Sequence, residues 1–145
     1  MRMSALGDLD ELGAALGLAR SFLQDGSGAQ IIARIQQDLI TLSAEVACED
    51  ATANPRQHIT AEDIARLEAA IDEREKVLPP QKDFVISGPP KAAAALHLAR
   101  AVCRRAERSV VALHMDKPVR ADLLAYLNRL SDLLFILARE AAEAC

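Results

Sequence analysis

Five stretches of this chain carry leucine, isoleucine or alanine at alternating spacings of three and four residues, and that spacing leaves little choice of fold. The clearest is Leu123, Leu127, Leu130, Leu134 and Leu137. At 3.6 residues per turn such positions line one face of an α-helix, whereas a strand would need alternation by two. Leu9, Leu12, Leu16, Ala19 and Leu23 repeat the pattern, as do Ile31, Ile35, Leu39, Leu42 and Val46. Composition agrees: the chain holds 28 Ala and 20 Leu among 145 residues, and aromatics make up 3%. A β-sandwich or barrel would draw on β-branched and aromatic strands, so the composition excludes both. The expectation is an all-α protein, a five-helix antiparallel bundle forming one domain over residues 1–145.

The breaks between helices follow turn chemistry. The first helix is expected over Ala5–Leu23 and stops at Asp25-Gly26-Ser27-Gly28, because glycine and short polar residues favour turns. The second runs over Ala29–Cys48, and the polar stretch Glu49–Gln57 reads as a connection. Thr60 with Asp63 has the spacing of a capping box, so the third helix starts at Ala61 and extends to about Val77. Leu78-Pro79-Pro80 ends it. Gln81–Pro90 is the longest non-helical segment, and its apolar triplet Phe84-Val85-Ile86 is expected to tuck under the fold. The fourth helix is expected over Pro90–His114, with proline in its first turn where no N–H is needed, and the fifth over Val119–Glu143.

Charge and cysteine content narrow the partners. Seventeen basic and 21 acidic residues give a net charge of −4. An acidic chain with one Tyr, three scattered Phe and no Trp suits neither nucleic-acid backbones nor base stacking. Cys48, Cys103 and Cys145 form no CxxC pair, so a reducing, cytoplasmic compartment is expected, with neither a disulfide framework nor a zinc site. No apolar run is long enough for a membrane span or a secretory signal. A di-iron bundle needs Glu-x-x-His pairs, and no Glu stands three residues before His58, His97 or His114. His97 and His114 therefore read as ordinary helix residues rather than metal or haem ligands.

The fourth helix carries the chemistry. Arg100, Arg104 and Arg108 stand at i, i+4 and i+8, one stripe of guanidinium groups, with Arg105 and Glu107 beside it. Two readings fit this stripe. It is a solvated face paired with acids on neighbouring helices, or an anion site holding a phosphate-bearing ligand, since the planar fork of arginine matches phosphate oxygens two at a time. Asn128, Ser131 and Asp132 border the leucine stripe of the fifth helix and need polar partners. Asp8, Asp10 and Glu11 fall near the start of the first helix, where the helix dipole favours acids; they are also placed to neutralise part of the arginine stripe across a subunit boundary.

Several stretches resemble one known family. Gly7-Asp8-Leu9-Asp10-Glu11-Leu12 with Ala15-Leu16-Gly17-Leu18-Ala19-Arg20, Leu96-His97-Leu98-Ala99-Arg100 running into Cys103-Arg104-Arg105-Ala106-Glu107-Arg108, and Tyr126-Leu127-Asn128-Arg129-Leu130-Ser131-Asp132 are similar to PduO-type ATP:cob(I)alamin adenosyltransferases. The likeness covers essentially the whole chain, including Ile35-Gln36-Gln37-Asp38-Leu39 and the Phe84 loop. It implies a homotrimer with sites between subunits that moves the 5′-deoxyadenosyl group of ATP, bound with Mg, to cob(I)alamin and releases triphosphate. It also implies ATP-binding roles for Arg104, Glu107, Arg108 and Asn128. Asp10 and Arg100 would form a salt bridge across the subunit interface, and Phe84 would pack against the corrin ring. The resemblance further implies that no side chain acts as a nucleophile, since in that family cob(I)alamin is itself the nucleophile.

Three departures from the family pattern stand out. A Gly/Thr-rich TGDxGxT loop for the triphosphate is expected ahead of the segment matched by Arg2–Gly7, and the chain does not carry it. Gly13 replaces the Asn of a DELN motif, and Ile86-Ser87-Gly88-Pro89 replaces LPGG. The alternative to an enzyme is a non-catalytic family member that binds cobalamin or another tetrapyrrole at the interface, as carrier, sensor or chaperone.

Overall fold

The computed structural model describes residues 1–48 and 58–144. The expected connection over 49–57 and Cys145 lie outside the described residues. Five helices account for most of the rest: α1 Arg2–Phe22, α2 Ser27–Ala47, α3 Ala61–Glu75, α4 Lys91–Asp116 and α5 Ala121–Glu143. They run alternately up and down, and α1 packs most extensively on α4, α4 on α5, α1 on α2 and α3 on α5.

The periodic stripes become the core. Leu123, Leu127, Leu130, Leu134 and Leu137 are all buried, as are Leu9, Leu12, Leu16 and Ala19. Burying a leucine side chain fully contributes about 1.5–3 kcal/mol, so these stripes are the main stabilising element. Ala5, Ala19, Ala99 and Ala106 are buried where α1 meets α4, and small side chains at such contacts bring helix axes close together. The α2 stripe is rotated slightly from expectation: Ile32 is buried, while Ile31 is only partly so.

Boundaries moved where local capping decided them. Helix α1 begins at Arg2, and the Arg2 guanidinium donates to the carbonyls of Val46 and, at 3.0 Å, Cys48. It thereby satisfies carbonyls that the C-terminus of α2 leaves free. Ser27 and Gly28, expected in the turn, form the first turn of α2, with Gly26 as its N-cap. The capping box is present: Asp63 N–H donates to Thr60 Oγ1 at 3.3 Å and Thr60 N–H to Asp63 Oδ2 at 2.9 Å. Pro90 stands as N-cap of α4 rather than inside its first turn. In the turn between α4 and α5, His114 Nδ1 accepts the Val119 N–H at 3.0 Å.

The expectation for the loop before α4 fails. Phe84-Val85-Ile86 does not tuck under the bundle: Phe84 is 99% and Ile86 91% exposed. The segment leaves the end of the bundle between two proline pairs, Pro79-Pro80 and Pro89-Pro90, which cannot donate backbone hydrogen bonds to fold it back. Its approach is tied to α5 through Arg139, which donates to the Pro79 carbonyl.

Candidate functional site

Antiparallel packing of α4 on α5 brings separated sequence motifs side by side. Glu107 lies one turn beyond Arg104, and its carboxylate joins the two helices. Arg104 Nη1 donates to Glu107 Oε1 at 3.1 Å, and Asn128 Nδ2 donates to Glu107 Oε2 at 3.0 Å. The other end of the Asn128 amide accepts from Arg129 Nη2 at 2.7 Å, and Arg129 in turn pairs with Asp132 at 2.9 Å. Three of the expected ATP-site residues, Arg104, Glu107 and Asn128, thus form one hydrogen-bonded chain. The Asn128 side chain is engaged at both ends, so its orientation is set.

The arginine stripe divides into two kinds of residue. Arg105 points to α1, where it pairs with Glu11 and, at 3.9 Å, with Asp8. Ser109 also donates to Asp8. This corrects the dipole account of the α1 acids. With α1 starting at Arg2, its first turn has no acidic residue, and the dipole's effect fades beyond that turn. Asp8 and Glu11 instead latch α1 to α4 within one chain. Arg100 and Arg108 have no carboxylate partner among the described residues; the Arg100 guanidinium lies over the Phe135 ring at 5.5 Å. Exposed cations without counterions are what an anionic ligand or an acidic partner surface requires.

The remaining site residues lie apart. Asp10 is exposed on α1 and makes no ion pair with Arg100 in the chain. The α1–α4 bridges set Asp8 and Glu11 opposite Ser109 and Arg105, so Arg100 lies further along the helix pair. Asp10 faces an open groove between α1 and α2, lined also by Leu6, Leu9, Gly13, Leu39 and Ile40. A Cβ at Gly13 would meet nothing within 4 Å, so glycine here removes a side chain from the groove without answering a backbone need. Gly88, in the altered loop, is equally unconstrained. Phe84 projects from the loop at the end where α4 begins, away from the Arg104–Asn128 chain.

One histidine and one cysteine near the site are structural. His97 is buried edge-on to Phe135 at 6.1 Å, and burial, with the nearby Arg100 charge, lowers its pKa. The Cys103 thiol donates to the Leu127 carbonyl at 3.5 Å; burial and the Glu107 charge push it up to about 12, too high for a reactive thiolate.

Sequence reasoning missed a second polar network on the opposite side of α5. Asp38, on α2, accepts from Tyr126 Oη at 2.8 Å, Arg66 Nη1 at 3.0 Å and Arg34 Nε at 3.4 Å. Burial alone would raise the neighbouring Asp63 carboxyl, but the Thr60 N–H and Arg66 outweigh it and hold it below its ordinary range. Further along, Glu45 accepts from the Ile59 N–H at 2.8 Å and Arg120 Nη1 at 2.6 Å. At the far end of the bundle Arg74 donates to Ser27 and Ala70 and pairs with Glu140 at 3.1 Å.

Fold and site together define an all-α five-helix bundle with an exposed arginine face on α4, organised by a carboxylate and an amide. The chain matches the cobalamin adenosyltransferase family over residues 1–141, and it belongs to that family. It is 45% identical over 139 residues to the corrinoid adenosyltransferase PduO of Citrobacter freundii, covering 95% of this chain and 42% of that protein. The chain thus spans about two-fifths of the length of that relative. Its fold matches a variant PduO-type ATP:corrinoid adenosyltransferase from Lactobacillus reuteri complexed with ATP, with TM-score 0.88 and 32% identity over 98% of this chain and 81% of that one. A second variant of the Lactobacillus enzyme, complexed with cobalamin and ATP, superposes with TM-score 0.87 and 33% identity over 98% and 78%. No helix among the described residues is long and apolar enough to cross a membrane.

Proposed function

We propose that this chain transfers the 5′-deoxyadenosyl group of ATP to the cobalt of cob(I)alamin, as a single domain over residues 1–145 that assembles into a homotrimer. Membership of the family supports this reading, as do the names of the similar proteins and the ATP and cobalamin bound to the Lactobacillus enzymes. The observation that carries it is the Arg104–Glu107–Asn128 chain flanked by Arg100 and Arg108, neither of which has a carboxylate partner among the described residues.

In this reaction the reduced cobalt of the substrate attacks C5′ of ATP. The cobalt–carbon bond forms as the C5′–O bond breaks, and triphosphate leaves with the electron pair. The chain supplies placement and charge. Arg104 and Arg108 meet the triphosphate and, with the Mg that accompanies ATP, offset the negative charge that grows on it. Glu107 fixes the direction of the Arg104 fork, and Asn128 addresses the adenosine. Phe84, exposed in the single chain, offers an apolar ring to the flat corrin face. Asp10 and Arg100, exposed and not joined to each other within the chain, suit a bridge between neighbouring subunits, with the α1–α2 groove as part of that contact.

The test is to supply ATP, Mg and chemically reduced cobalamin and follow the visible spectrum. Formation of adenosylcobalamin is expected. Cobalamin binding without product would favour the non-catalytic carrier, and the absence of both binding and product would remove the reading altogether.

A further inference from the structure

Helix α5 carries Asn128 on one face and Tyr126 on the other, since two residues along a helix subtend about 200°. Each is tied to a different helix. Tyr126 is fully buried, and its hydroxyl donates to Asp38 Oδ2 of α2 at 2.8 Å, across 88 residues of sequence. Asn128 reaches Glu107 of α4 at 3.0 Å, and between them the Leu127 carbonyl accepts the Cys103 thiol at 3.5 Å. Three consecutive residues therefore pin α5 in both rotation and register. Asp38 is itself held from α3 by Arg66 at 3.0 Å, so it is a rigid anchor. A rotation of α5 by about 10° would move the Asn128 amide, about 6 Å from the helix axis, by about 1 Å and break its bond to Glu107.

We propose that Tyr126 is a positioning residue for ATP: its hydroxyl bond to Asp38 sets the register of α5 that presents Asn128 to Glu107 and Arg104. This rests on the reading of Asn128 as part of the ATP site. Tyr126 touches no ligand in this account and acts only through Asn128. Held side chains at a site must keep their geometry to within about half an ångström, and register pins of this kind provide that.

The experiment is a double-mutant cycle on the full chain, with ATP affinity measured by calorimetry and melting followed in parallel. Tyr126→Phe removes one oxygen and keeps the ring that packs the core. Losing one hydrogen bond's worth of register should weaken ATP binding by about 3- to 10-fold. Cobalamin affinity should be unchanged. In an Asn128→Ala background, Tyr126→Phe should have no further effect on ATP, because the group it positions is gone. Additive losses, or a lowered melting temperature with unchanged ATP affinity, would overturn the proposal and leave Tyr126 with a structural role only. If Asn128→Ala alone leaves ATP affinity unchanged, the site reading fails and the inference falls with it.

Discussion

Around Asp38 two arginines and a tyrosine converge on acids that match them in charge: Arg34 and Arg66 face Asp38 and Asp63. Along the outer stripe of α4 only Arg104 pairs with a carboxylate, Glu107, while Arg100 and Arg108 have none among the described residues. Both clusters are built from the same residue types on the same bundle. The difference is one of balance. A balanced, half-buried cluster has no charge left to offer a ligand and serves the fold. An unbalanced, exposed one carries a standing cost that an anion removes on binding. In the proposed function it is unpaired charge, rather than arginine content, that receives the ligand.

The largest effect should come from breaking the balanced cluster. Asp38→Ala leaves the buried Tyr126 hydroxyl without its acceptor and Arg66 with Asp63 alone, and should lower the unfolding free energy by about 2–3 kcal/mol. That is below the cost of breaking a fully buried pair, because Arg66 keeps partial solvent access. Urea denaturation measures it, and a loss under half a kilocalorie would erase the contrast between the two regions.

A smaller effect concerns the thiol beneath the site. Burial raises Cys103 from 9.0 to about 12, so the folded chain holds its proton more tightly than the unfolded chain does. The stability this provides is complete below about pH 9 and declines as pH rises from there toward 12. Stability measured across that range should fall less steeply in Cys103→Ala, once its constant packing loss is subtracted; parallel curves would contradict the buried, protonated thiol.

Arg105→Ala should matter least. It removes an exposed bridge to Glu11 and Asp8, worth under about 1 kcal/mol, and should leave ATP affinity intact because Arg105 belongs to the α1 latch. A large loss of ATP binding would move Arg105 into the site and blur the division of the stripe.

How much of this was legible in the sequence follows from the distance between partners. Helices and the arginine stripe depend on spacings of three and four, so Leu123–Leu137 and Arg100–Arg108 could be read directly. The Thr60 capping box, a local motif, was equally plain. The Tyr126–Asp38 bond joins residues 88 apart, and no periodicity marks such a pair; only the packing of α2 on α5 reveals it. Helix α1 starts earlier than periodicity suggests because a tertiary bond from Arg2 to the end of α2 holds its first turn. For Phe84 hydrophobicity predicts burial, whereas the flanking prolines and the loop's position at the bundle end leave it outside.

The central claim is that the uncompensated arginine face holds the phosphates of ATP. Titrating ATP into wild-type protein and Arg108→Ala at one fixed salt concentration tests it most directly, since Arg108 has no carboxylate partner among the described residues. Loss of charge-assisted bonds should weaken binding by about 10- to 100-fold while the melting temperature stays within a degree or two. Equal affinity in the two proteins would contradict the account.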